Sequence, residues 1–114
     1  DTVLTTYNFR EPPGLGDAVR RAAAAGVGVI AMKIMAGGYR DAAVPALNPF
    51  QGALRWVLRQ PGVATTIPSL VTFEQLKENL EAAAASFGAR DALALELYAA
   101  AIEARHCRVC GGCC

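Results

Sequence analysis

The stretch VGVIAMKIMAGGY, residues 27–39, decides the fold class. Residues 27–33 are almost wholly apolar, which is typical of a strand buried on both faces of a parallel sheet, and a glycine-rich turn follows. Residues 48–60 have the pattern of a helix, residues 64–67 that of a short strand, and a further helix opens at residue 72. Strands that alternate with helices at this spacing predict an α/β fold with parallel strands and crossover helices.

The helix starts carry their own signals. Asn48 precedes a proline and, three residues later, a glutamine, which is the pattern of a capped helix start. Thr72 and Gln75 repeat the capping-box spacing. Asp17 and Asp91 are each placed to cap a helix, the first before Val27 and the second at the end of the chain. The helix after Thr72 also has an apolar stripe at helical spacing: Phe73, Leu76, Leu80 and Ala84.

The length and composition limit the size of the fold and the classes of binding partner. The chain has 114 residues, 54% of them hydrophobic, with a formal net charge of +1. That is enough for one domain but too little for an eight-stranded barrel, which needs about 200 residues or more. Eleven basic and ten acidic residues predict neither a nucleic-acid nor a membrane partner. Three parallel strands leave open edges, so we expect this chain to be part of a larger sheet or barrel.

The cysteines lie together at the end of the chain. Cys107, Cys110 and Cys113 follow the spacing C-x2-C-x2-C, which opens a common [4Fe–4S] ligand run. The fourth ligand of that run would fall beyond Cys114, which is out of register. A cluster of this kind, with no cysteine in the body of the chain, favours metal binding in a reducing, cytoplasmic compartment. A zinc site, to which His106 could contribute, and free thiols remain alternatives.

Five segments in this order resemble the C-terminal portion of an aldo/keto reductase, and more narrowly a bacterial branch with cysteines after its final helix. They are TTYNF, GVGVIAMKIMAGG, ALRWVLRQPGVATTIPS, FEQLKENLEAA and CRVCGGC. The resemblance implies an α/β fold that is a partial (β/α)8 TIM barrel, namely its last three βα units with a C-terminal helix and a cysteine tail. Residues 1–88 would belong to the barrel, 89–106 to the helix and 107–114 to a truncated iron–sulfur motif.

The same resemblance implies an oxidoreductase. The family reduces carbonyls with NADP or NAD through an Asp, Tyr, Lys and His tetrad in the earlier part of the barrel, so no catalytic residue is assigned here. The intact protein would act on a small-molecule carbonyl or alcohol, and its [4Fe–4S] cluster could serve electron transfer to a redox partner or clamp the C-terminal segment. We expect this chain alone to be inactive.

One expected cofactor segment is the loop after the second strand. Lys33 falls where the family's loop lies along the cofactor's pyrophosphate, and Gly37 and Gly38 permit close approach of the backbone. Met32 stands where the family usually has an aromatic ring against the nicotinamide, and Met35 follows in the same loop. Alternatively, the methionines fill the core and the lysine is merely solvated.

The other expected cofactor segment follows the third strand. Ser69 and Leu70 match the family's loop there, and Glu78 and Asn79 match the pair that hydrogen-bonds the adenine. Gln75 occupies the position of the arginine that binds the 2′-phosphate in many NADP-dependent members. A neutral glutamine forms no charge-assisted pair with phosphate, so NAD and NADP both stay open. Gln75 also has a capping role, and Glu78 is compatible with a solvated helix face.

Two other functional classes fit the sequence. One is a small metal-binding or electron-transfer module in which the α/β part presents the cysteines, and it predicts metal uptake without nucleotide affinity. The other is a noncatalytic α/β interaction domain whose exposed strand edges bind a partner. Stable monomeric folding without metal or cofactor would favour that class.

Overall fold

The elements alternate along the chain as the sequence predicts. The computed structural model describes residues 1–11, 14–42 and 44–105. Within these ranges the strands are β1 (Thr2–Thr6), β2 (Gly28–Met32) and β3 (Val63–Thr66). The helices are α1 (Leu15–Ala24), α2 (Pro49–Leu58), α3 (Phe73–Ala83) and α4 (Ala89–Ala101), and a 3-10 turn covers Glu103–Arg105. None of these helices is both long and apolar enough to cross a bilayer.

The strands form one parallel sheet in the order β1-β2-β3, which confirms the prediction of an α/β fold. The β1–β2 ladder runs in register from Thr2 opposite Gly28 to Thr6 opposite Met32. The β2–β3 ladder shifts by one residue after Val29, so that Thr65 lies opposite Ile30. Because the spatial order of the strands follows the chain, both crossovers connect neighbouring strands. The direction of winding does not reverse between β1 and β3.

α1 and α2 cover one face of this sheet, and α3 packs on α2. Val29 and Ala31 of β2 point to that face and are 1% and 0% exposed. They share a core with residues of α1, α2 and α3: Val19, Leu54, Val57 and Ala82. α4 packs on α2, where Tyr98 and Ile102 are buried beside Phe50. Because successive residues of a strand face opposite sides, Ile30 and its neighbours in the ladder face away from the helices.

The opposite face and the margins of the sheet are uncovered by the described residues. Leu4, which pairs with Ile30, is 51% exposed, and Ile67 after β3 is 52% exposed. The outer edges of β1 and β3 pair with no other described strand. On α3, Phe73 and Leu80 of the predicted apolar stripe are 85% and 63% exposed. The stripe exists, but the helix buries Asn79 and Ala82 instead.

Two helix starts differ from the sequence prediction. α1 begins after Gly14, which takes a left-handed φ of 100°, and Asp17 lies in the first turn and pairs with Arg20. α4 begins after Gly88, and Asp91 is its third residue rather than its cap. The Asp91 carboxylate still accepts a hydrogen bond from the Gly88 N–H at 2.8 Å. An acidic side chain is favourable anywhere in the first turn, because the exposed N–H groups there carry partial positive charge, so its position along that turn is not set by charge alone.

Candidate functional site

A cleft of about 820 Å³ opens where β2 and β3 end. Its first wall is the loop after β2, and its second is the segment from Ile67 into α3, with Phe50 of α2 between them. Loops at the carboxyl ends of parallel strands are where α/β folds bind ligands. The volume lies within the usual range for small-molecule sites, about 300–1,000 Å³.

The first wall is a tight, conformationally special turn. Lys33 and Ala36 have φ values of 53° and 48°, and Gly37 and Gly38 have 110° and 70°. Positive φ is uncommon for residues with a Cβ, and such strain concentrates at functional sites. A Cβ added at Gly37 would lie 2.4 Å from the Tyr39 ring, whereas one at Gly38 would meet nothing within 4 Å. Position 37 therefore requires glycine both because a Cβ would collide with the Tyr39 ring and because the backbone has a positive φ.

Two buried polar side chains, those of Asn8 and Tyr98, form hydrogen bonds with the backbone of this turn. Asn8 is 4% exposed, and its Nδ2 donates to the Lys33 carbonyl at 3.3 Å. The Tyr98 hydroxyl accepts from the Tyr39 N–H at 2.8 Å and donates to the Met35 carbonyl at 3.4 Å. Burial raises the pKa of Tyr98 above its ordinary value. Sequence patterns do not identify Asn8 or Tyr98, since each acts on a loop that is distant in the chain.

Tyr39 and Asp41, at the end of this loop, contact Arg105, the last described residue. The Arg105 guanidinium carbon lies 4.3 Å from the centre of the Tyr39 ring, and the Tyr39 hydroxyl donates to the Arg105 carbonyl at 2.9 Å. Arg105 also pairs with Asp41 at 2.8 Å, which lowers the pKa of that carboxyl. The cleft loop and the C-terminal end of the described chain are thus joined.

The second wall is the start of α3. Thr72 caps it, because its Oγ1 accepts from the Gln75 N–H at 3.2 Å. The Gln75 Oε1 reaches back to the Val71 N–H at 2.9 Å, one residue before the expected capping-box partner. The backbone N–H of Glu74 and, to a smaller extent, the Thr72 hydroxyl lower the pKa of the Glu74 carboxyl. The side chains of Thr72 and Gln75 thus each accept a hydrogen bond from a backbone N–H group at the start of α3.

Asn79 lines the cleft and carries a buried polar atom without a partner among the described residues. The residue is 7% exposed, and its side-chain Oδ1 has no hydrogen-bond partner among the described residues. A buried acceptor without a donor costs about 1–3 kcal/mol, and such groups are few in native proteins. The carbonyl oxygen of Asn79 has less than 1 Å² of accessible surface, so a ligand bringing an N–H or O–H group would reach it only with a shift of the side chain.

Most of the expected cofactor residues line this one cleft. They are Met32, Lys33, Met35, Gly37, Gly38, Ser69, Gln75 and Asn79. Leu70 and Glu78 are not among the lining residues; Leu70 is 45% exposed, and Glu78 accepts hydrogen bonds from Arg40 and Asn48. Sequence reasoning missed other lining residues, namely Ile34, Arg40, Phe50, Ile67, Pro68 and Val71. Of these, only the arginine two residues after the glycine pair offered a chemical signal.

The predicted metal ligands Cys107, Cys110 and Cys113 lie outside the described residues. Within residues 1–11, 14–42 and 44–105, no group of three or more His, Cys, Asp and Glu side chains is placed to hold a metal ion. No protein-family model matches the chain, and no curated protein matches it at a significant level of similarity.

Proposed function

We propose that the chain forms the nicotinamide-cofactor-binding part of an aldo/keto-reductase-like oxidoreductase that acts on a small-molecule carbonyl or alcohol. The observation that carries the proposal is the cleft at the ends of β2 and β3, which Asn79 lines and beside which its buried carbonyl oxygen has no partner among the described residues. A cofactor with an amino group on a planar base would supply the missing donor. NAD and NADP both carry such a base.

We also propose that the three βα units are the sixth to eighth of a (β/α)8 barrel. The sequential strand order and the packing of α1 and α2 on one face support this, because a barrel winds in one direction with all helices outside. The exposed apolar side chains on the other face support it too, since parallel sheets are normally covered on both faces. The remaining strands would cover Leu4 and Ile30.

Each wall of the cleft would have its own part in holding the cofactor. Lys33 supplies positive charge for the pyrophosphate, and the Gly37–Gly38 backbone permits close approach. Met32 packs against the nicotinamide, and Asn79 accepts from the base. When bound, the cofactor supplies hydride chemistry, while these residues orient it. No catalytic residue is assigned in this chain.

The proposal is tested by titrating the chain with NADH and NADPH in a calorimeter, using wild type and the variant Asn79→Leu. Leucine removes the unpaired oxygen at similar volume, so we expect affinity to fall about tenfold or more while stability is unchanged or rises. Lys77→Ala is the matched control, because Lys77 lies on α3 with a side chain that is 79% exposed and does not line the cleft. Absence of nucleotide binding to wild type, or equal affinity of Asn79→Leu, would contradict the proposal.

For the cysteine motif we propose a [4Fe–4S] cluster bound through Cys107, Cys110 and Cys113, on the evidence of their spacing. Anaerobic reconstitution with iron and sulfide should give the broad visible absorption of such clusters, and Cys110→Ser should abolish it. Stoichiometric zinc with no bound iron would contradict the assignment. Metal uptake without nucleotide affinity would instead favour a small metal-binding module.

A further inference from the structure

α1 and α2 are displaced towards the strands that follow them in the chain. α1 comes after β1 and makes its main strand contacts with β2 and β3. α2 comes after β2 and makes its main strand contacts with β3. Continued by one step, the same displacement places α3 over a further strand, beside the outer edge of β3.

The displacement leaves both ends of the sheet layer incomplete. Val3 pairs with Val29 and therefore points to the helix-covered face, yet Val3 is 41% exposed whereas Val29 is 1% exposed. At the other end α3 packs on α2 and leaves an apolar stripe exposed. This α3 stripe consists of Phe73, Leu76 and Leu80, which are 85%, 40% and 63% exposed. The described part of the chain thus has an apolar strand residue that needs a helix, and an apolar helix side that needs a strand.

The two outer strands also carry no residue that would oppose pairing with another chain. β1 is TVLTT and β3 is VATT, without a charged residue or a proline in either. Sheets that must keep an edge free in water usually place such residues on it or cover it. The outer edges of β1 and β3 pair with no other described strand. Both edges are therefore suited to accept a further strand.

Only one edge-to-edge arrangement of two copies completes both ends. If all helices stay on one face of the joined sheet, β3 can meet β1 of a second copy only in parallel, whereas β3–β3 and β1–β1 pairings are antiparallel. Parallel pairing of β3 with β1 puts α3 of one copy over Val3 of the other. A β3–β3 pairing brings two α3 helices to one junction and leaves Val3 exposed. A β1–β1 pairing leaves Val3 of both copies without a helix.

We propose that copies of this chain bind head to tail, with the β3 edge and the α3 stripe of one copy holding β1 of the next as a parallel strand. The contact would cover Val3 and Leu4 on one side, and Ile67 with the α3 stripe on the other. These side chains expose several hundred Å² of apolar surface, and the new strand ladder adds to it, against the roughly 1,000 Å² that a specific interface needs. The contact joins two different surfaces, so it repeats from copy to copy. The second copy takes the place that further strands of a barrel would occupy, and the inference does not depend on nucleotide binding.

The test is sedimentation velocity in reducing buffer, with one variant for each side of the interface. Val3→Lys blocks the β1 side and Leu80→Lys blocks the α3 side, and both positions are exposed, so the fold should be retained. We expect wild type to form species larger than a dimer as its concentration rises, and each variant alone to stay a monomer. An equimolar mixture of the two variants should give a species of twice the monomer mass and nothing larger, because each pair has one intact interface. Leu97→Lys, at a 45% exposed position on α4, is the matched control and should associate as wild type does.

The single variants distinguish this arrangement from the other two. Copies that pair β3 with β3 would leave Val3→Lys dimeric on its own, and copies that pair β1 with β1 would leave Leu80→Lys dimeric. Either result, a mixture that stays monomeric, or a monomeric wild type at every concentration overturns the inference and leaves nucleotide binding to its own titration. If circular dichroism shows that Val3→Lys does not fold, Leu4→Lys, at a 51% exposed position of the same strand, replaces it with the same expected results.

Discussion

Gly37 and Gly38 are neighbours in the cleft loop, yet an added Cβ has different consequences at each. At Gly38 alanine has room and meets only the cost of left-handed backbone, about 1–2 kcal/mol. At Gly37 it also collides with the Tyr39 ring, which Arg105 holds in place. We expect Gly37→Ala to lower the free energy of unfolding clearly more than Gly38→Ala, as measured by urea denaturation. Equal effects would mean that the ring moves freely.

Tyr98 predicts a pH dependence at the alkaline end. Burial raises its pKa above the ordinary 10.0, so above pH 10 the unfolded chain releases a proton that the folded chain retains. The contribution of Tyr98 to the free energy of unfolding is fully present below pH 10. It is lost as the pH rises further, so the free energy of unfolding falls. In Tyr98→Phe this part of the decline should be missing. Urea denaturation at several pH values between 8 and 11 measures the difference, and parallel curves for both proteins would contradict it.

The same variant has an effect at neutral pH. Phenylalanine leaves the Tyr39 N–H and the Met35 carbonyl without the hydroxyl that joins them. A buried group that loses its partner costs about 1–3 kcal/mol. We therefore expect Tyr98→Phe to be less stable than wild type at pH 7, by an amount of that order in the same urea experiment.

At the scale of elements, Asn48 combines two jobs at the start of α2. Its Oδ1 accepts from the N–H groups of Phe50 and Gln51 at 3.0 and 3.1 Å, and its Nδ2 donates to Glu78. Asn48→Ala should lose both the cap and the hydrogen bond to Glu78. Loss of the cap should lower the free energy of unfolding by about 1–2 kcal/mol, and loss of the bridge to α3 should lower it further. Asn48→Ser keeps a capping oxygen and loses only the bridge, so its urea midpoint should fall between those of alanine and wild type. Equal midpoints for the two variants would show that the cap contributes nothing.

α3 shows how far helical periodicity can be used for prediction. The spacing of Phe73, Leu76 and Leu80 correctly indicates a helix with one apolar side. These side chains are nevertheless exposed, while Asn79 and Ala82 are buried. Periodicity reports that an apolar stripe exists, but what covers it depends on elements elsewhere. Thr72 and Asn48 were predicted correctly as caps because a cap acts on N–H groups two or three residues away.

For the whole molecule, the uncovered sheet predicts self-association. Leu4 and Ile67 are about half exposed beside strand edges that pair with no other described strand, and such edges pair readily with other chains. We expect sedimentation velocity to show concentration-dependent association of wild type. Ile67→Lys should reduce it, because a charge next to a strand edge opposes pairing. The control is Leu93→Lys, at a similarly exposed position on α4, which should not reduce it.

A single sharp monomer for wild type at every concentration would contradict the prediction of association. It would also count against the partial barrel, because the open face of the sheet would then be stable in water without a partner. The interaction-domain alternative would gain support from that result.

The sequence alone determined the order of strands and helices, the parallel α/β class, the caps at Asn48 and Thr72, and the two loops in which most of the cleft residues lie. These features depend on contacts between near neighbours in the chain, which spacing and residue type record directly. Only the tertiary structure decided that Arg40 meets Glu78, 38 residues away, and that Tyr98 holds Tyr39, 59 residues away. It also decided that Asn79 is buried with an oxygen that has no partner among the described residues. Such contacts arise when distant segments pack together, and no local pattern encodes which of them will meet.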